Sequence, residues 1–175
     1  MGIFEKLYFK KKETIENFYV NGQPKEKGEW KYGEREGLWE SFYEDGGLKE
    51  KEHWKKNKRH GLCESFYMNG QLEWKGNFLE DKHEGVFEFF YENGVLKERG
   101  NMKGGLLHGD WEWFYESGQL QKKGTFSNDE NEGKIEEFFE NGQIQSTGVY
   151  ERGQEVGEFW YFDGDGETIK REKFD

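Results

Sequence analysis

The sequence predicts an all-β chain, an elongated single-layer antiparallel β-meander of about 13 strands, on three observations. A 24-residue unit recurs without insertion or deletion, residues 37–48 returning at 61–72, 85–96, 109–120 and 133–144. A strict period of that length means stacked small units that bury apolar surface only against their neighbours. Each unit carries two short alternating runs, such as 39–43 and 48–54, divided by Asp45-Gly46 or by Asn-Gly at 69–70, 93–94 and 141–142. Those are the signals of β-hairpins. Finally, only 32% of the chain is hydrophobic, yet it holds 16 Phe, 9 Tyr and 7 Trp. Rings bury much area each and favour sheets, so a thin ring-covered sheet is easier to stabilise than a deep core.

In order along the chain, residues 1–17 read as an N-terminal cap or partial repeat, 18–161 as six 24-residue repeats, and 162–175 as a C-terminal partial repeat and cap, within one repeat domain of 1–175. With Asp45-Gly46 as a two-residue turn, Tyr43 falls opposite Leu48, Glu40 opposite Lys51 and Trp39 opposite Glu52. A loop of residues 32–35 at the other connection sets Glu40 opposite Lys27. This register lines up Lys27, Glu40, Lys51, Glu64, Lys75, Glu88, Arg99, Glu112, Lys123 and Glu136, alternating in sign throughout. A slip of one residue would turn every side chain to the wrong face, so the line is a register device.

The opposite face carries three apolar lines. In one, Trp39, Cys63, Phe87, Trp111, Ile135 and Phe159 interleave with Gly28, Gly76, Gly100, Gly124 and Gly148. A ring over a bare glycine restores packing that the glycine forfeits. A second runs from Trp30 through Trp54 and Phe78 to Tyr150 between the glycines of the series Gly37 to Gly157, and a third alternates Tyr43, Tyr67, Tyr91 and Tyr115 with leucines.

The remaining column of that face reads Glu26, Ser41, Glu50, Ser65, Trp74, Phe89, Glu98, Trp113, Lys122, Glu137, Ser146, Tyr161. Ser and Glu serve there in other repeats, so the fold does not require rings at Trp74, Phe89 and Trp113. These three, with Glu98, are the candidate partner-binding residues, because clustered accessible aromatics anchor interfaces.

The segment 28–39, Gly-Glu-Trp-Lys-Tyr-Gly-Glu-Arg-Glu-Gly-Leu-Trp, and Phe42-Tyr43-Glu44-Asp45-Gly46 resemble the MORN repeat, in the bacterial variant whose units end in a Tyr-x-x-Gly hairpin. The resemblance covers about residues 15 to 170 and departs from the pattern at Glu52, Lys134 and Asp163. It implies antiparallel hairpins stacked into a single sheet. It also implies the functions described for such families: antitoxin or immunity-type proteins among bacterial variants, membrane tethering and protein assembly among eukaryotic members.

Net charge is −11, about +2 over residues 1–60 and −13 over 61–175. An acidic surface repels nucleic acid and attracts basic partners. The single cysteine, Cys63, forms no internal disulfide, and no apolar run is long enough for a signal peptide or a membrane span, so a cytoplasmic location is expected. Gly2 is no myristoylation signal, because Lys6 stands where Ser or Thr is required. No catalytic constellation, metal-ligand spacing or cofactor motif is present: the four histidines form no ligand pair, and Asp163 to Glu167 reads as a hairpin turn rather than a calcium loop.

The expected function is therefore a non-enzymatic binding module of the immunity or antitoxin type that neutralises a basic toxin or effector. The alternative is a membrane-associated scaffold in which Lys55, Lys56, Lys58 and Arg59, with the run at Lys10 to Lys12, contact anionic headgroups. Weaker still is a carbohydrate- or choline-binding repeat protein. Exposed terminal strands would also permit edge-to-edge homodimers.

Overall fold

The computed structural model describes residues 12–175, which form strands and turns and, among them, no helix. Fourteen antiparallel strands lie in chain order: β1 (Glu13–Phe18), β2 (Pro24–Lys31), β3 (Glu34–Phe42), β4 (Leu48–Lys55), β5 (Lys58–Phe66), β6 (Leu72–Leu79), β7 (Lys82–Phe90), β8 (Leu96–Lys103), β9 (Leu106–Phe114), β10 (Leu120–Ser127), β11 (Glu130–Phe138), β12 (Ile144–Glu151), β13 (Gln154–Phe162) and β14 (Thr168–Phe174). Strand β1 arises in the segment read as a cap, where Glu16 pairs with Lys27 and carries the charge line one strand further. By contacts the chain divides into two units, Met1–Lys82 and His83–Asp175.

In the first unit the Tyr-x-x-Gly hairpin is not the two-residue turn that Asp-Gly suggests. Tyr43 N–H donates to the Gly47 carbonyl at 2.8 Å and Gly46 N–H to the Tyr43 carbonyl at 3.0 Å. The loop therefore holds three residues, 44–46. A two-residue turn of the kind Asp-Gly favours needs positive φ at both residues; here Gly46 alone has it, at 89°. Phe42, not Tyr43, consequently faces Leu48. A one-residue bulge at Lys49 then restores the register, so that Glu40 meets Lys51 and Trp39 meets Glu52 as expected.

The other connection also differs from its expected form and compensates in the same way. Tyr32 and Gly33 make a tight two-residue turn, both at positive φ (56° and 82°), with Lys31 opposite Glu34. Strand β3 then carries two extra residues between Glu36 and Glu40, beginning at Gly37 with φ of 74°, and Lys27 still faces Glu40. This bulge is the physical reason for the second glycine series.

Hydrogen bonds between repeats secure both margins of each unit. In the first, Arg35 and Asn57 exchange two bonds (Asn57 N–H to Arg35 carbonyl, 3.1 Å; Arg35 N–H to Asn57 Oδ1, 2.7 Å), and Arg59 and Asp81 do the same. At the opposite margin Tyr19 Oη donates to the Phe42 carbonyl at 2.8 Å and Tyr43 Oη to the Phe66 carbonyl at 2.6 Å. The second unit repeats both devices, with Asp129 on Leu107, Tyr91 on Phe114 and Tyr115 on Phe138.

The two faces are those the register implies. Ion pairs cross one face, Lys27 to Glu40 (2.9 Å) in the first unit and Arg99 to Glu112 (2.6 Å) and Lys123 to Glu136 (2.7 Å) in the second. The buried apolar side chains of the other are Trp39, Cys63, Phe78, Phe87, Trp111, Ile135 and Phe159. A Cβ built on Gly28 would clash with the ring of Trp39, and one on Gly100 with that of Trp111.

Candidate functional site

Because side chains alternate along a strand, residues two positions from the buried ring line share its face but stand farther out. In the second unit this outer column runs through consecutive cross-strand partners: Phe89 on β7, Glu98 on β8, Trp113 on β9, Lys122 on β10, Glu137 on β11 and Ser146 on β12. Three of the four sequence-predicted residues, Phe89, Glu98 and Trp113, are thus direct neighbours. Phe89 stacks on buried Phe87 with ring centroids 6.4 Å apart, and Trp113 lies 6.0 Å from Trp111 and 5.9 Å from Phe126. Each outer ring is half-buried.

Beyond Trp113 the column turns ionic. Lys122 Nζ sits 3.2 Å from Glu137 Oε1 and 5.7 Å from the centre of the Trp113 ring, while Ser146 Oγ donates to Glu137 Oε2 at 3.1 Å. Trp113, Tyr115, Gln121, Lys122, Glu137 and Gln145 line an open cleft of about 430 Å³. Gln121 and Gln145 are the extra residues at the bulges of β10 and β12. Sequence reasoning placed Lys122 and Glu137 in this column without assigning them a role; their opposite charges at adjacent positions were the available signal. The two glutamines carried none, since the bulges that bring them here were not foreseen.

The model of the MORN repeat variant matches residues 35–56, 84–103, 107–128 and 131–152, the same 24-residue phase as the structural repeat. The chain belongs to the MORN repeat variant family. Its repeats make it a repeat-built binding module. No curated protein matches the chain. Among solved structures, S. aureus TarM in a mutant form in complex with fondaparinux, alpha-GlcNAc-glycerol and UDP is similar at 12% identity and TM-score 0.30, over 87% of this chain and 22% of that one. A second TarM structure gives 13% identity, TM-score 0.30 and the same coverage. The chain thus spans about a fifth of those proteins.

In the first unit the same MORN column is polar. Ser41 Oγ donates to Glu50 Oε2 at 3.0 Å, Asn17 to Glu26 at 2.7 Å, and Arg35 pairs with Glu26 at 3.2 Å. Trp74, the fourth sequence-predicted residue, ends this stretch, half-buried and 6.2 Å from Phe78. The MORN repeat that the family model passes over, between residues 56 and 84, is also the one with Cys63 in the ring line. Opposite Cys63 stands Glu52 where other repeats have glycine, its carboxylate accepting a hydrogen bond from Trp54 Nε1 at 3.1 Å. Burial raises the Glu52 pKa, and Glu50 adds to the effect.

The basic loop is largely engaged within the chain. Lys58 pairs with Glu80 at 3.2 Å; Arg59 lies 3.6 Å from Asp81 and over the ring of Phe78. The Lys56 N–H donates to Glu36, and the side chains of Lys55 and Lys56 are exposed. Of the Lys10 to Lys12 run, Lys12 pairs with Glu29 at 2.6 Å, and Lys10 and Lys11 lie outside the described residues. The Cys63 thiol is fully buried, which pushes its pKa up to about 11 and disfavours the thiolate a nucleophile requires. Asp163 Oδ1 accepts from the N–H groups of Asp165 and Glu167, as a hairpin turn requires.

Proposed function

We propose that the chain is a non-catalytic MORN module that binds a basic protein, and that its biological role is of the immunity or antitoxin kind, masking a toxin or effector. The observation that carries this reading is the outer column of the second unit, where half-buried rings at Phe89 and Trp113 flank Glu98 at positions that MORN units elsewhere in this chain fill with serine. Charge supports it. Residues 83–175 hold 10 Lys/Arg against 21 Asp/Glu, a net of −11, whereas residues 1–82 hold 16 of each. A field of one sign accelerates capture of an oppositely charged partner and makes it salt-sensitive. The same reading places the chain in a reducing cytoplasm, with Cys63 as a thiol.

Capture on the immobilised chain from the native host at low salt is expected to retain one basic protein in stoichiometric amount. Salt should release that protein, and added chain should suppress its activity. Retention of no stoichiometric protein, or of an acidic one that salt does not release, would overturn the proposal. The membrane reading rests on exposed Lys55 and Lys56. Flotation with anionic liposomes at low salt tests it, and a chain that stays at the bottom of the gradient removes it.

A further inference from the structure

We propose that the cleft beside Trp113 is an arginine-recognition subsite, occupied in the free protein by the chain's own Lys122. This rests on the protein-binding reading above and names the chemical group that the second unit takes from its partner.

Three features of the cleft suit a guanidinium. The Trp113 ring supplies an aromatic face, on which planar cations stack. Glu137 supplies a carboxylate, held by the Ser146 hydroxyl on Oε2 and by Lys122 on Oε1. Carboxylates accept the guanidinium fork in a bidentate manner that an ammonium cannot match. Glu98 flanks Trp113 on its other side, and Gln121 and Gln145 add amide acceptors at the rim.

Lys122 already makes the pair of contacts an incoming cation would make, with Nζ near both the Trp113 ring and Glu137. Its side chain is 34% exposed and that of Glu137 40%, so the resident ion pair is an inexpensive one to exchange. An arriving arginine would stack on Trp113, take Glu137 and release Lys122 to solvent. The net charge of −11 on residues 83–175 favours that exchange over entry of a neutral ligand.

The test is titration of the full chain with a blocked hexa-arginine peptide, read by calorimetry and by the Trp113 indole N–H resonance, which the W113S variant assigns. Serine occupies this column natively at Ser41 and Ser65, so W113S is expected to fold. The peptide should shift the Trp113 resonance. W113S and E137Q should each weaken binding about ten-fold, as loss of a central anchor does. K122S should tighten it about three-fold, the size of one exposed ion pair removed from competition. E140Q, which deletes the same charge from an exposed turn, should change it less than about two-fold. Blocked hexa-lysine should bind more weakly than hexa-arginine.

Unchanged binding in W113S, a K122S variant that binds no better than wild type, or equal losses in E137Q and E140Q would each overturn the subsite. So would a neutral oligosaccharide such as maltohexaose shifting the Trp113 resonance where the arginine peptide does not. The two proposals fail separately. A host partner retained equally by W113S leaves protein binding standing and removes this subsite; an arginine-binding cleft in a chain that retains no host protein does the reverse.

Discussion

The two units use one 24-residue plan and diverge where the plan leaves a position open. Around β4 and β5 in the first unit, Glu52 stands opposite Cys63; around β8 and β9 in the second, Gly100 stands opposite Trp111. In the second arrangement the indole lies on the bare glycine and its Nε1 donates to the Asn101 carbonyl at 2.9 Å. In the first a small thiol leaves room for a carboxylate, which Trp54 then satisfies. The pair position conserves volume rather than identity. The outer column conserves neither, being hydroxyl and carboxylate from Glu26 to Ser65 in the first unit, before Trp74 ends it, and aromatic then ionic from Phe89 to Glu137 in the second. A scaffold whose margins are fixed by backbone-directed bonds can vary that column without cost to the repeat.

The largest effect should come from breaking the volume rule. G100E forces a side chain against the Trp111 ring and is expected to cost about 3 kcal/mol, the upper range for overpacking a close contact. W111C alone should cost a similar amount, about 3 kcal/mol, as a large-to-small change in the core. The double variant G100E/W111C recreates the pairing of Glu52 with Cys63, so its loss should fall short of the sum by at least about 1 kcal/mol. Urea denaturation of the four proteins completes the cycle, and strictly additive losses would refute the complementarity.

Charge reversal tests whether both units depend equally on the ionic face. E40K in the first unit would face Lys27 and Lys51, and E112K in the second would face Arg99 and Lys123. Each converts two favourable cross-strand pairs into repulsions and is expected to cost about 1–2 kcal/mol, less at high salt. A melting temperature unchanged in either variant would mean that the charge line is not a register device in that unit.

A smaller effect concerns the tyrosine margin. Y43F and Y115F each remove a hydroxyl that donates to the next repeat's carbonyl and should cost about 1 kcal/mol. Phe139 occupies the equivalent place 24 residues after Tyr115. F139Y supplies a donor where the other repeats have one and should stabilise by up to about 1 kcal/mol. Opposite signs in urea midpoint for Y115F and F139Y are the expected outcome.

The register was legible because alternating Lys and Glu allow only one alignment of neighbouring strands. Both turns differ from their expected form, yet each difference cancels: the three-residue loop is offset by the bulge at Lys49, and the tight turn at Tyr32-Gly33 by two extra residues at Gly37. Net spacing is visible in a repeat; how it divides between loop and bulge depends on which residues adopt positive φ. The tyrosines read as an apolar line because hydroxyl partners 23 residues away are set by the stacking of repeats, not by local pattern. At the candidate site the rings were legible as exceptions to Ser and Glu. The opposite charges of Lys122 and Glu137 were legible too, but their role was not, since the approach of Lys122 to Trp113 is set by the fold.

The smallest effects separate two glutamates whose environments oppose each other. Glu52 in the first unit has its pKa raised, chiefly by burial; Glu136 in the second has its pKa lowered, chiefly by hydrogen bonds from Lys123 and then Lys134. Charged Glu52 is therefore a penalty at neutral pH. That penalty is fully present above its raised folded value, shrinks as pH falls through it, and is gone below the ordinary carboxylate value. Charged Glu136 is a gain, fully present above the ordinary value and lost only as pH falls further, through its depressed folded value. E52Q should accordingly stabilise at neutral pH and E136Q destabilise. On acidification the E52Q difference should vanish first, because its titration window lies above that of Glu136. Stability against pH for both variants and wild type checks the order, and an E136Q difference that disappears before that of E52Q would reverse the assignment of which carboxylate is buried and which is bonded.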